Sequence, residues 1–274
     1  MSPLILSPLD ILKMFIQKMI SSNILIFNII LNIIIYETCF LSFAQSQEVK
    51  SNSLPGAIQS YRNGILHVGQ LENERENLNI KWLGTAFLVD DCCTFATAKH
   101  IFNNVNREKL VIRFRLPQDL SKVRTVRTRI LYEDSKTDIA FLKIDYFNNQ
   151  PCNSKNLHSF PLLIEPEKDS LVGESVIIIG YAELSSGKNI DVPVVRKGII
   201  ASTDIRFSSQ QMILLDLLGV PGFSGSPVIL EKNGQAIGII YGPGPTKRGF
   251  GFEWATPIYQ KDYLKAIETS GKKN

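Results

Sequence analysis

Short apolar segments separated by turn residues recur along most of the chain, and this spacing limits the fold more than any other feature of the sequence. Segments of this kind are typical of β-strands, and many of them in succession predict an all-β barrel or sandwich. Asn233-Gly234 stands between two such segments and predicts a tight hairpin. One helix is predicted near the C-terminus, where "YQKDYLKAIETSG" ends at a glycine. The predicted strands are Gly84–Val89, Leu110–Leu116, Val126–Tyr132, Ile139–Ile144, Glu174–Gly180, Val192–Ser202, Gln211–Leu217, Ser226–Leu230, Gln235–Gly242 and Gly251–Ile258.

The N-terminal segment has the composition of a targeting sequence. Two lysines precede the apolar stretch Ile24–Tyr36, and Ser42 and Ala44 occupy the small-residue positions of a signal-peptidase site. This pattern predicts an export signal over residues 1–44 and a mature chain that starts near Gln45. The apolar stretch is shorter than the roughly 20 residues that a membrane span needs. An uncleaved membrane anchor is the alternative.

The charge and the cysteines exclude some classes of function. The net charge of +4 is mild and the basic residues are scattered, so a nucleic-acid partner is not expected. No His/Cys spacing resembles a zinc site, and neither a metal nor another cofactor is expected. Cys92, Cys93 and Cys152 remain if Cys39 leaves with the signal. Adjacent cysteines bond each other only with strain, so either one of them pairs with Cys152 or the cysteines stay reduced.

The segment "GVPGFSGSPV" holds Ser224 among three glycines and two prolines, which predicts a sharply turned backbone. A serine hydroxyl is a poor nucleophile unless a base accepts its proton, and that base must itself be oriented. Of the three histidines, His67 falls on an early strand and is interpreted as structural, whereas His158 falls in a loop and is interpreted as solvated. His100 directly follows the apolar segment Thr94–Ala98, so its imidazole is expected at the mouth of a barrel.

Asp138 is the best-placed carboxylate for His100, because it directly precedes the apolar segment "IAFLKI" and can be half buried there. Asp134 and Asp145 have charged or polar neighbours and are interpreted as surface residues. The order His, Asp, Ser excludes an α/β-hydrolase, in which a histidine follows the serine. A subtilisin-like order would use an aspartate in the turn before His100, but the parallel α/β pattern of that fold is absent.

Three motifs in this order, "TAKH", "TDIAFLKI" and "GFSGSP", resemble the chymotrypsin-like (trypsin-like) serine peptidases. The segments "GESVIIIGYA", "VRKGIIAS" and "GFEWATPI" are similar to the exported bacterial trypsin-like and HtrA-like branch of that family. The resemblance implies an all-β fold of two antiparallel six-stranded β-barrels, over residues 56–149 and 150–258. Residues 1–44 would then be the signal or anchor, 45–55 a linker, and 259–274 a short C-terminal helix and tail.

The resemblance assigns a role to each motif residue. His100 would be the general base, Asp138 its orienting carboxylate and Ser224 the nucleophile, as in the triad of this family. The backbone N–H groups of Gly222 and Ser224 would form the oxyanion hole. The implied function is that of an exported serine endopeptidase, which hydrolyses polypeptides through an acyl-enzyme. A scaffold that keeps the peptidase fold and binds without turnover is the alternative.

The resemblance also implies a pocket for the side chain before the scissile bond. Leu218, six residues before the nucleophile, would form its floor, and Tyr241, Gly242 and Pro243 would form one wall. An apolar floor cannot pair a buried cation. Cleavage is therefore expected after small or medium apolar residues, with Arg and Lys rejected.

Departures from the family pattern carry further expectations. Lys99 replaces a small residue beside the catalytic histidine and is expected to point to solvent. Ser226 replaces a glycine two residues after the nucleophile, as the bacterial branch tolerates. Phe223 stands where zymogen-activated relatives have an aspartate, so activation by an N-terminal cut is not expected. The 16 residues after Ile258 leave no room for the PDZ module of HtrA proteins.

Overall fold

The computed structural model describes residues 54–72, 79–90, 93–116, 119–144, 146–147, 150–151, 157–164, 171–183, 192–207, 209–243 and 251–271. The predicted signal or anchor lies outside the described residues, as does most of the predicted linker. The helices are α1 (Leu54–Arg62) and α2 (Gln260–Gly271). The strands are β1 (Ile65–Leu71), β2 (Ile80–Leu88), β3 (Thr94–Ala98), β4 (Leu110–Leu116), β5 (Asp119–Arg127), β6 (Arg129–Glu133), β7 (Ile139–Lys143), β8 (Tyr146–Phe147), β9 (Gln150–Pro151), β10 (Ser175–Gly180), β11 (Val194–Phe207), β12 (Gln210–Asp216), β13 (Pro227–Leu230), β14 (Ala236–Pro243) and β15 (Phe252–Pro257).

The N-terminal lobe is a seven-stranded antiparallel sheet with the order β5-β4-β1-β2-β3-β7-β6. Its central strand β3 is buried along its whole length, and β7 is buried at all but its last residue. Strands covered on both faces read as continuous apolar runs, which is why "TFATA" and "IAFLK" lack polar alternation. The register that pairs Ala98 with Ile139 brings the end of β3 beside the start of β7.

The C-terminal lobe is a closed barrel with the order β10-β11-β12-β15-β14-β13. The predicted all-β fold with two lobes is confirmed, and the second lobe has the six strands expected of it. The first lobe differs from the expected six-stranded barrel. Over the described residues it is a seven-stranded sheet in which β5 and β6 are edge strands, because no pairing joins these two. The predicted lobe boundary between residues 149 and 150 stays a prediction.

Strand β10 lies between the cores of the two lobes. Ile177 and Ile179 belong to the cluster of the N-terminal sheet, whereas Val176 and Ile178 belong to the cluster inside the barrel. Successive side chains of a strand point to opposite faces, so each face of β10 supplies one core. This double burial accounts for the uninterrupted apolar segment "SVIIIG".

Helix α2 confirms the helix predicted near the C-terminus. Its Ala266 is fully buried, and its Tyr263 Oη donates a 2.6 Å hydrogen bond to Asp90 Oδ2 in the N-terminal lobe. Helix α1 was not predicted; it begins at Leu54, at the end of the segment that was assigned to a linker. Among the described residues, neither helix is long and apolar enough to cross a membrane.

Candidate active site

His100 lies where the sheet ends. Strand β3 stops at Ala98, and a short 3₁₀ turn from Lys99 to Phe102 carries the histidine away from the sheet. Ile101 and Phe102 of the same turn are buried, which anchors the turn while the His100 side chain remains 31% exposed. The imidazole is thus held by its neighbours and still accessible to solvent, as a base must be if it is to exchange protons with a ligand.

Asp138 holds the His100 residue at two points. Its Oδ2 lies 2.7 Å from His100 Nδ1, and its Oδ1 accepts a 2.8 Å hydrogen bond from the backbone N–H of the same histidine. An ionised carboxylate can only accept, so Nδ1 carries the proton and the lone pair of Nε2 is left for another partner. Because the Asp138 side chain is only 7% exposed, water competes little for this contact.

Ser224 lies across from this pair, in the turn between β12 and β13. Its carbonyl accepts a 2.8 Å hydrogen bond from the N–H of Thr85 in β2, which fixes the turn of the barrel against the N-terminal sheet. Its Oγ donates to the carbonyl of Tyr241 at 3.3 Å. The ring of Tyr241 in turn lies 5.1 Å from the imidazole of His100, between ring centroids.

No hydrogen bond joins Ser224 to His100 among the described residues. The structure therefore brings His100 and Asp138 into contact and places Ser224 beside Tyr241. Hydrogen bonds of a catalytic serine are often long or poorly aligned in a ligand-free site and tighten when substrate binds. A rotation of the Ser224 hydroxyl is the change that a contact with His100 requires.

Two backbone N–H groups next to the serine have no acceptor in the described part of the chain, namely those of Gly222 and Ser224. Gly222 adopts a φ of +90°, a region that favours glycine, and a Cβ at this position would lie 2.6 Å from the carbonyl oxygen of Tyr181. The carbonyl of the preceding Pro221 accepts a 2.8 Å hydrogen bond from Glu183 and is held by it. These two donors are thus available to bind an oxygen atom.

The rival titratable residues have structural roles. His67 is buried in β1, as interpreted from the sequence. His158 is not solvated as expected: its Nδ1 lies 3.2 Å from Ser60 Oγ, its ring packs against Tyr61 and Phe160, and burial lowers its pKa to about 4. The loop that carries it is covered by α1, which the sequence did not reveal.

Asp134 is buried rather than on the surface, in contrast to the sequence-based interpretation. Burial by itself raises its pKa, but hydrogen bonds from Lys265, the backbone of Lys136, Tyr132 and the backbone of Thr137 outweigh burial and hold the pKa below its usual range. Lys99, which was expected to point to solvent, donates to the Asp134 carbonyl at 2.6 Å. These contacts fix the loop that leads to Asp138. Asp145 lies outside the described residues.

The predicted pocket residues lie on two segments beside Ser224. Tyr241, Gly242 and Pro243 end strand β14, and Leu218, which follows β12, is 51% exposed. A half-exposed Leu218 does not provide the buried apolar floor on which the expected substrate preference depends. Phe223, two positions from Pro221, is buried in the barrel core.

The sequence analysis missed one buried carboxylate near this pocket. Glu253 in β15 is 2% exposed, and a Cβ on Gly219 would collide with its carboxylate. Burial raises the pKa of Glu253 to about 7. The signal was present in the sequence as a single acidic residue inside the apolar segment "GFEWATPI".

Cys93 is buried and takes part in a disulfide bond, whose partner lies outside the described residues. The alternative in which the cysteines stay reduced is therefore wrong for Cys93, and its pairing with Cys152 stays a prediction. Within the described ranges, no group of three or more His, Cys, Asp or Glu side chains is arranged to hold a metal ion.

The family of the chain follows from its sequence match. The family model described as "Trypsin-like peptidase domain" matches residues 84–239, which is more than half of the chain and includes His100, Asp138 and Ser224. No curated protein matches the chain significantly. Together with the two β lobes, the match defines the class as a serine endopeptidase, a hydrolase. The chain belongs to the trypsin-like peptidase family.

Solved structures with a similar fold are HtrA-type proteases. The "HtrA-type protease AlgW with decapeptide" is 18% identical, with a TM-score of 0.56 over 80% of this chain and 68% of that chain. The "HtrA-type protease AlgW with tripeptide" is 19% identical, with a TM-score of 0.53 over 79% of this chain and 63% of that chain. At such identities the likeness concerns the fold. The predicted resemblance to the chymotrypsin-like (trypsin-like) peptidases is confirmed by the family match, and the solved structures share the fold. The assignment to the HtrA-like branch stays a prediction.

Proposed function

We propose that His100, Asp138 and Ser224 form the catalytic triad of this serine endopeptidase. The observation that carries the proposal is the two-point contact of Asp138 with His100, which keeps a proton on Nδ1 and leaves Nε2 as a base. The orphan N–H groups of Gly222 and Ser224 support it, because an acyl-transfer site needs donors aimed at the developing oxyanion.

The reaction follows from these positions. Ser224 Oγ forms a bond to the carbonyl carbon of the scissile peptide as its proton passes to His100 Nε2, and the carbonyl oxygen becomes an oxyanion held by the two N–H groups. The tetrahedral species collapses to an acyl-enzyme, and His100 gives the proton to the departing amine. Water then attacks the ester, with His100 again as base, which releases the carboxylic acid and restores the Ser224 hydroxyl.

Polypeptides are the proposed substrates. Both AlgW structures named above hold a bound peptide, a decapeptide in one and a tripeptide in the other. In this chain the end of β14 lies beside Ser224 and offers the carbonyl of Tyr241, which already accepts a hydrogen bond. An extended peptide can pair with such a strand segment through its main chain.

The triad is tested by covalent labelling and by turnover. We expect a fluorophosphonate to label the purified protein at Ser224, and Ser224→Ala and His100→Ala to lose nearly all turnover, by roughly 10⁶ in kcat as in another serine peptidase. Ser202→Ala, in β11, is the matched control and should label and turn over normally. Proteolysis that persists in purified Ser224→Ala protein would contradict the triad. A folded wild-type protein that neither labels nor cleaves would favour the alternative function, a scaffold that binds without turnover.

We further propose that the protein is exported. Residues 1–44 have the pattern of an export signal, and the disulfide of buried Cys93 fits an oxidising compartment, where such bonds persist. Mass spectrometry of the protein taken from cells that make it should give an N-terminus near Gln45. An intact N-terminus in a membrane fraction would indicate an anchor instead, and an intact N-terminus in the cytosol would overturn export.

A further inference from the structure

Glu253 lies between the two segments that flank the candidate nucleophile. In β15 it pairs with Leu215 of β12 on one side and with Pro243 of β14 on the other. Its carboxylate carbon would lie 2.9 Å from a Cβ on Gly219, five residues before Ser224. The carboxylate thus contacts the segment after β12, and its residue is paired with the end of β14. These two segments were expected to form the floor and one wall of the pocket.

The carboxylate of Glu253 is buried without a partner. Its Oε2 makes no hydrogen bond in the described part of the chain, and only 2% of the residue is exposed. Burying a carboxylate without a hydrogen-bond partner costs folding free energy, and such groups are rare in native proteins. A ligand that pairs with the carboxylate would account for it. Burial raises its pKa to about 7, which means that an incoming cation would find a group that ionises readily near neutral pH.

Gly219 brings this group next to the segment before Ser224. Any side chain at position 219 would collide with the carboxylate, so the glycine lets Glu253 lie directly against the backbone of that segment. A second negative charge lies nearby, because Asp216 at the end of β12 is exposed. Leu218, two residues further on, is half exposed. The charges of Glu253 and Asp216 therefore favour a cation over an apolar side chain beside Gly219.

We propose that Glu253 is the specificity-determining residue of the pocket, where it receives the Lys or Arg side chain that precedes the scissile bond. This inference rests on the proposed function of Ser224. A cation supplies the charged hydrogen-bond partner that the buried carboxylate lacks. It replaces the preference for small apolar residues, which depended on Leu218 as a buried floor.

The first test is a peptide-library digest. We expect the wild type to cut after Lys and Arg, and Glu253→Gln to lose kcat/KM for those substrates by roughly 100-fold, because one partner of a buried charge pair is removed. Cleavage after Leu or Ala should change less than about threefold, and Glu268→Gln, which makes the same change at an exposed glutamate of α2, should keep the wild-type ratio. Wild-type cuts mainly after apolar residues, or an unchanged Lys/Arg preference in Glu253→Gln, would overturn the inference.

The second test measures binding without catalysis. Calorimetry should detect benzamidine, an aromatic amidinium, on Ser224→Ala protein and not on the Ser224→Ala/Glu253→Gln double variant. Gly219→Ala, which keeps the Glu253 carboxylate but adds a Cβ that collides with it, should weaken binding in the same Ser224→Ala background. Fluorophosphonate labelling of the wild type distinguishes the two proposals. If Ser224 is labelled but benzamidine does not bind, the proposed role of Glu253 is wrong and the triad is retained. Benzamidine binding without labelling retains the pocket and overturns the triad.

Discussion

The pairing of His100 with Asp138 is the contact on which the proposed chemistry depends at the scale of single residues. The carboxylate is almost fully buried, whereas the imidazole is partly exposed, so the pair has one rigid and one accessible member. Asp138 does not need to exchange a proton in this arrangement. In the proposed triad its role is to select the tautomer of His100 and to stabilise the imidazolium that would form when Ser224 is deprotonated.

Asp138→Asn tests the choice of tautomer. An asparagine has nearly the same shape, but its NH₂ group donates to Nδ1, so the imidazole proton moves to Nε2 and the base is lost. We expect kcat to fall by about 10⁴, as for the same change in the chymotrypsin family, with KM little altered. Steady-state kinetics on a peptide substrate measures both constants. A kcat within tenfold of the wild type, in a variant of unchanged thermal stability, would remove Asp138 from the triad.

The sequence indicates some residues of the site better than others. His100, Asp138 and Ser224 stand at strand ends or in a tight turn, where short motifs mark them. Glu253 has no such motif, because it reaches Gly219 only through the pairing of β15 with its neighbours. Asp134 was misread for the same reason: its cation, Lys265, is 131 residues away in the chain.

The strands were predictable because their side chains are buried in a regular pattern. Ten apolar segments were expected, and nine of them coincide largely with one strand of the structure; Val126–Tyr132 instead runs from the end of β5 into β6. The closure of the barrel was not a property of any one segment; it comes from the pairing of β10 with β13 at one end and of β12 with β15 at the other. Helix α1 was missed because Pro55 and Gly56 are weak helix formers, although Pro is tolerated in a first turn.

A stack of four side chains joins the two lobes of the molecule. The ring of His67 in β1 lies between Trp82 of β2 at 3.9 Å and Tyr181, after β10, at 4.3 Å. The guanidinium of Arg113 in β4 caps the stack 4.3 Å from the Trp82 ring. Burial, together with the charge of Arg113, lowers the pKa of His67 to about 3. The imidazole is therefore neutral in the folded protein, and its protonation would insert a charge at the junction of the lobes.

This stack makes the stability of the whole molecule sensitive to acid. The ordinary pKa of a histidine is about 6.5 in an unfolded chain. Because the folded pKa of His67 is lower, the unfolded state binds an extra proton between about pH 6.5 and pH 3. The contribution of His67 is thus fully present above that window and is lost as the pH falls. From about pH 7 to about pH 5 the loss amounts to about 2 kcal/mol of the free energy of unfolding.

His67→Phe removes the titrating group and keeps a flat ring between Trp82 and Tyr181. Urea unfolding of the two proteins in a Ser224→Ala background, which prevents self-cleavage, gives the free energy of unfolding at each pH. We expect the wild-type value to fall by about 2 kcal/mol more than the His67→Phe value between about pH 7 and about pH 5. His158 and Glu253 also titrate differently on unfolding, with opposite signs, but both contribute equally to the two proteins and cancel in the difference. Parallel curves would mean that His67 is as easily protonated in the folded protein as in the unfolded chain.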